Sequence, residues 1–170
     1  MIKMNFQFFV EKLKNLKNFE KFTKEKKDAF LCGCFFVIDK EEGKDKQHFD
    51  FFIPSENKIL SFPVENGSDE TEIEVKGDKV PTKISFEHDF DFRDIEEMIK
   101  NKMEGENIDK KIQKMLYSLQ NLNGEDFLIG TIFISGLGMI SVKISLKDKK
   151  IVDFNNKSFF DFMKIVKKDD

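Results

Sequence analysis

The residues in this sequence that could carry chemistry are few. Its two histidines each stand beside acids: His48 precedes Asp50 by two positions, and His88 is followed by Asp89 and Asp91. Imidazole and carboxylate ligands can hold a divalent ion that activates water, so His48, Asp50, His88 and Asp91 together define the hydrolytic reading of the chain, a metal-dependent hydrolase. That reading requires two pairs distant in sequence to converge. Each residue also has a structural role open to it: Asp91 stands where a helix cap belongs, and His48 and Asp50 alternate along a strand as a polar side facing water.

Cys32 and Cys34 are two apart in an apolar run, a spacing that sends both side chains to one face of a strand. Zinc would need further ligands, and with no second cysteine pair the two thiols read as core residues. No serine or cysteine stands in a glycine-flanked elbow, and no glycine-rich loop leads into a helix. The expectation is a protein that is not an enzyme and carries no cofactor.

One region is locally basic. Lys12, Lys14, Lys17, Lys21, Lys24, Lys26 and Lys27 crowd the first helical stretch, where they could meet RNA or an acidic partner. Glu11, Glu20, Glu25 and Asp28 dilute that charge, and the formal net charge of -3 argues against a general nucleic-acid binder.

The elements that must position these residues follow from hydrophobic period. Phe6, Phe9, Val10, Leu13, Leu16 and Phe19 recur at helical spacing and predict one amphipathic helix over 6–22. Apolar runs at 30–38, 48–53 and 59–64 then predict an antiparallel meander, with Pro63 near a strand end because it donates nothing to a ladder. Thr71 to Lys76 alternates as part of a short extra hairpin. Asp91 caps a helix whose stripe is Phe92, Ile95, Met98, Ile99 and Met103. A further helix is expected from Asn107, carrying Ile108, Ile112, Met115, Leu116, Leu119 and Leu122, and closed by Asn123-Gly124.

Strands resume at 127–134, turn at Gly136-Leu137-Gly138, and continue at 139–146 and 151–154. Ser158 and Asp161 have capping-box spacing ahead of Phe159, Phe162, Met163 and Val166, which predicts a terminal helix over 158–167. The 170 residues, 39% hydrophobic and 36% charged, fit one domain over 1–170 of the α+β class, an antiparallel sheet with helices mainly on one face. The 21 phenylalanines read as core. The apolar start is too short for a signal peptide, and no stretch approaches a membrane span, so the expected compartment is the cytoplasm.

Phe30-Leu31-x-Gly33-x-Phe35-Phe36-Val37 has a counterpart in Phe127-Leu128-x-Gly130-x-Ile132-Phe133-Ile134, and Lys58 to Phe62 parallels Lys150 to Phe154. These matches suggest two diverged helix-then-meander units, 5–66 and 107–155, although apolar strands also resemble one another without common descent. In both matched strands, Thr131 apart, the two alternate residue sets are apolar, so both faces should be covered. Two covers remain open for the second face: internal elements, or a partner that is a second copy or another protein. On the partner reading the contact residues are Leu31, Phe35, Val37, Leu128, Ile132 and Ile134.

The order helix, three strands, helical segment, strands, helix resembles the secretion-chaperone-like fold of type III secretion chaperones and YbjN-like proteins. That resemblance implies a small, acidic, dimeric α+β protein. The stretch from Ile108 through Val142-Lys-Ile-Ser-Leu-Lys-Asp-Lys-Lys-Ile-Val152 is also similar to a PepSY-type helix-plus-meander module, with Ser145-Leu-Lys-Asp-Lys149 where that family has its Asp-Ala-x-Thr-Gly turn. The function expected from the whole sequence is a non-catalytic, chaperone-like protein-binding module, able to self-associate.

Overall fold

The structure, a computed structural model, describes residues 4–65, 68–75, 77–158 and 163. Among the described residues three helices and eight strands are delimited, in the order α1 (Phe6–Lys14), α2 (Lys17–Glu25), β1 (Phe30–Asp39), β2 (Lys46–Ile53), β3 (Lys58–Pro63), β4 (Thr71–Glu74), α3 (Phe92–Gly105), β5 (Ile112–Leu122), β6 (Glu125–Ile134), β7 (Gly138–Ser145) and β8 (Lys150–Ser158). All eight strands join one antiparallel sheet in the order β4-β3-β2-β1-β5-β6-β7-β8. Helical segments followed by a four-stranded meander therefore occur twice, and the inner strands β1 and β5 lie side by side.

The single helix expected over 6–22 is two. Asn5 caps α1 by accepting from Gln7 N–H, Asn15 closes it, and Leu16 in extended conformation starts α2. The break lets Phe6, Phe9, Val10 and Leu13 bury over the middle of the sheet while Phe19 and Phe22 bury farther out, against Phe51 and Phe62. Asp91 caps α3 as its position predicts, accepting from Arg93 N–H at 2.8 Å, and Phe92, Ile95, Ile99 and Met103 form the buried stripe.

The helix expected from Asn107 is instead β5. Asn107 has positive φ, and the chain enters the strand at Ile112. Met115, Tyr117 and Leu119 then alternate into the core. Asn123 and Gly124, both at positive φ, form the two-residue turn that joins β5 to β6, a geometry whose twist suits a hairpin. The expected extra hairpin is the single strand β4 on β3. Pro63 ends β3, beyond the part that pairs with β4. The matched segments around Phe35 and Ile132 fall on β1 and β6, which occupy different places in the two meanders. Apart from Ser158, which ends β8, and Met163, the helix expected over 158–167 lies outside the described residues.

One face of the sheet carries the core. Phe36, Phe49, Phe51, Phe62, Tyr117, Leu119, Leu128, Ile132, Ile140 and Val142 are buried beneath the helices. Aromatic contacts tie the layers, among them Phe6 to Phe36 and Phe49, and Phe92 to Phe36 and Tyr117. Gly130, opposite both Tyr117 and Val142, leaves the space that the Tyr117 ring fills, since a Cβ there would lie 2.7 Å from Val142 Cγ2. Among the described residues, no helix is long and apolar enough to cross a membrane.

Candidate functional site

The helix-free face of the sheet is set by the same alternation that builds the core. Cross-strand register places Phe35 between His48 and Ser118, and continues that row through Ile129 to Lys143. The next row runs Lys46, Val37, Leu116, Thr131 and Ser141, and a third joins Asp39, Lys114, Phe133 and Met139. Phe35, Val37, Leu116, Ile129, Phe133 and Met139 are each only partly buried. The result is an apolar patch across β1, β5, β6 and β7, with Lys46 and Lys143 at the ends of its rows and Lys114 within it. An open trough of about 590 Å³ on this face is lined by Phe35, Val37, Leu116 and Phe133 together with the charged side chains of Asp39, Glu42, Lys44, Lys46 and Lys114.

This geometry divides the residues expected to contact a partner. Phe35 and Val37 lie on the helix-free face. Leu31, Leu128, Ile132 and Ile134 are at most 3% exposed and pack in the core on the other face. The matched strands agree at Leu31 and Leu128 and face opposite ways from Gly33 onward, because the extra residue Cys32 shifts the alternation of β1 by one position. The residues that accompany Phe35 and Val37 are Leu116, Ile129 and Phe133. Leu116 was obscured because its segment reads as helix, and Ile129 and Phe133 because both alternate sets of β6 are apolar.

The four residues of the hydrolytic reading do not come together. His48 lies on the helix-free face, where Nδ1 is 2.9 Å from Asp50 Oδ1 and 3.1 Å from Ser61 Oγ, while Phe35 stacks on the ring at 5.3 Å. A serine relay needs hydroxyl and carboxylate on opposite ring nitrogens, and here both meet the same one. His88 instead pairs through Nε2 with Asp126 at 2.6 Å, on the side of the sheet where Phe6 packs against its ring. Asp91 is occupied by the cap and by the Arg93 guanidinium, whose hydrogen bond holds its carboxyl below the usual range. Among the described residues, no group of three or more His, Cys, Asp or Glu side chains could hold a metal ion.

Asp126 belongs to no motif and stands near no histidine in the chain, so local spacing does not single it out. It accepts from His88, from Asn121 Nδ2 at 2.8 Å and from Ser85 N–H at 3.1 Å. Gln7 Nε2 donates to the carbonyls of Phe86 and His88, so the 84–91 segment is held at both its side chains and its backbone. A cleft of about 700 Å³ opens beside the pair. Another, of about 720 Å³, lies where Lys40 and Lys100 flank Glu96 of α3.

The cysteines do not share a simple strand face. Leu31 pairs with Phe51 and Gly33 with Asp50, which leaves Cys32 as the extra residue of a bulge. Burial pushes the Cys32 thiol up to about 12 and the Cys34 thiol well above its ordinary value, with the Asp50 charge adding to both. Both are therefore protonated, weakly nucleophilic thiols at neutral pH. The lysines of α2 and its C-cap are partly neutralised by Lys21–Glu25, Lys24–Glu20 and Lys26–Glu56 pairs.

No family model and no curated protein matches this chain. Among solved structures the fold is similar to that of a protein described as a "putative lipoprotein" from Clostridium difficile 630, with a TM-score of 0.56 and 9% sequence identity. The likeness covers 82% of this chain and 90% of that one, and at this identity it bears on the fold alone.

Proposed function

We propose that this chain is a non-catalytic binding protein that holds an apolar partner segment on the helix-free face of its sheet. The observation that carries this reading is the band of Phe35, Val37, Leu116, Ile129 and Phe133, with no described element over it. A sheet with one wet face ordinarily alternates apolar with polar residues, and apolar side chains gathered on that face, here interrupted by Ser118, Thr131 and Lys114, mark a contact surface. Each of these side chains is already mostly buried, so about 0.2–1 kcal/mol of burial remains for each to gain. Set against the ordering cost of association, this supports only weak, reversible holding, in which burial of the partner's own apolar side chains has to contribute. Lys46, Lys114 and Lys143 on the same face would attract acids flanking such a segment, with Asp39 beside Lys114 offsetting part of that charge.

A chaperone-like activity follows if the band accepts exposed apolar segments generally. The test uses reduced insulin B chain as the aggregating probe, followed by light scattering. The native chain should delay aggregation, and a Phe35→Ser/Leu116→Ser variant that keeps its far-UV circular dichroism should not. Equal delay by both proteins, or none by either, would overturn the reading.

A further inference from the structure

The two edges of the sheet differ in what they can pair with. β4 is four residues long, and any symmetric antiparallel pairing centred on Ile73 would set Glu72 against Glu74 of the second copy. Like charges directly opposite oppose such pairing. β8 is nine residues long, contains no proline, and has no strand on its outer side among the described residues. Register against β7 places Asp153, Asn155 and Lys157 on the helix-free face, opposite Lys143, Ser141 and Met139. A register shift between Lys143 and Ile144 leaves Val152 as an extra residue, so the regular part of this edge runs from Asp153 onward.

We propose that β8 is a self-association edge, pairing antiparallel with β8 of a second copy about a two-fold axis through Asn155. In that register Asn155 faces its own copy, Asp153 faces Lys157 of the second chain, and Lys157 faces Asp153. The edge is thus complementary to itself, as an isologous interface requires, and the outward backbone groups of Asp153 to Lys157, which no described strand pairs, find partners by strand addition. Moving the axis to Asp153 or Lys157 would oppose like charges, and moving it to Phe154 would leave Asp153 facing Asn155. The charges therefore select one register.

An antiparallel pair forces the axis perpendicular to the sheet. Both helix layers consequently stay on one side, and the two helix-free faces join into one surface. This inference rests on the edge of the sheet and is independent of what the apolar band holds.

Sedimentation equilibrium of the full chain, from low to high micromolar concentration, tests it. The chain should show a monomer–dimer equilibrium. Asp153→Lys and Lys157→Asp should each weaken the dimer about tenfold or more, and the double exchange should return it to near the native value. Both residues are exposed, and circular dichroism of each variant checks that the fold is intact. A monomer at every concentration would overturn the proposal, as would single variants with unchanged dissociation. Loss of the dimer in Phe35→Ser/Leu116→Ser with the edge variants silent would also overturn it, and would place self-association on the apolar band.

Discussion

His88 Nε2 and Asp126 Oδ2 lie 2.6 Å apart and fasten the 84–91 segment to the start of β6. An ionised carboxylate only accepts, so Nε2 carries the proton. Burial alone would raise the Asp126 carboxyl, but the hydrogen bonds from Asn121, His88 and Ser85 together hold it below the usual carboxylate range.

Asp126→Asn should therefore cost about 1.5–3 kcal/mol of stability in urea unfolding, the range for hydrogen bonds to a charged group. The pH dependence has a definite sign. A carboxyl whose folded value lies below its unfolded one contributes fully above about pH 4. That contribution fades as the pH falls through the folded value. The native protein should lose this increment on acidification, and the variant should lack it. Identical acid slopes would show that the stability comes from elsewhere.

Gly130→Ala puts a methyl 2.7 Å from Val142 Cγ2 and 3.1 Å from Tyr117 Cε1. Neither neighbour is the loose end of a surface chain, since both are buried. An overpacking cost of about 1–3 kcal/mol is expected. A thermal melt unchanged from native would mean that the ring and the valine move aside without penalty.

Tyr117 is the sole tyrosine, and the chain has no tryptophan. Its hydroxyl donates to Met115 Sδ at 3.2 Å, and burial, followed by the charge of Glu96, pushes the phenol above its ordinary range. Because the folded value exceeds the unfolded one, this contribution is complete below about pH 10 and is lost as pH rises through the folded value. In an alkaline titration, phenolate absorbance should appear only together with loss of far-UV circular dichroism. Ionisation of the intact fold would contradict the burial.

Phe35 and Ile132 hold opposite faces of neighbouring parts of the sheet. Ile132 is fully buried, so Ile132→Ala should cost about 2–5 kcal/mol. Phe35 is only partly covered, and Phe35→Ala should cost clearly less in the same urea titration. Equal losses would mean that the helix-free face is as closed as the core.

Much of the sheet was readable because its strands are bounded by strong turn residues and alternate in burial. The Asp91 cap was readable because a carboxylate at that position has one evident donor to accept, the Arg93 N–H. The segment 112–122 was misread because Lys, Gln, Met and Leu are good helix formers, and Met115, Leu116, Leu119 and Leu122 fit a helical period. The tertiary setting between β1 and β6 overrides that preference. Asn123-Gly124 carried the contrary signal, since the pair favours a two-residue hairpin turn as well as a helix end. For the candidate surface, Phe35 and Val37 were legible and their companions were not. Both sets of residues in β6 are apolar, and only the register against β5 shows which set meets the helices. The His88 partner was hidden because nothing in local spacing links it to Asp126.

The seam between β1 and β5 has a kinetic consequence. Every other strand pair joins neighbours in sequence, whereas this one sets Cys34 against Leu119 and Ile38 against Met115 across the whole middle of the chain. Closing a loop that long is an entropic cost met before its contacts form. Each meander can zip by itself, so refolding should be limited by the meeting of the two halves. In stopped-flow measurements, truncation of Ile38 or Met115 should slow folding, while truncation of Ile144, in the outer β6–β7–β8 ladder, should mainly hasten unfolding.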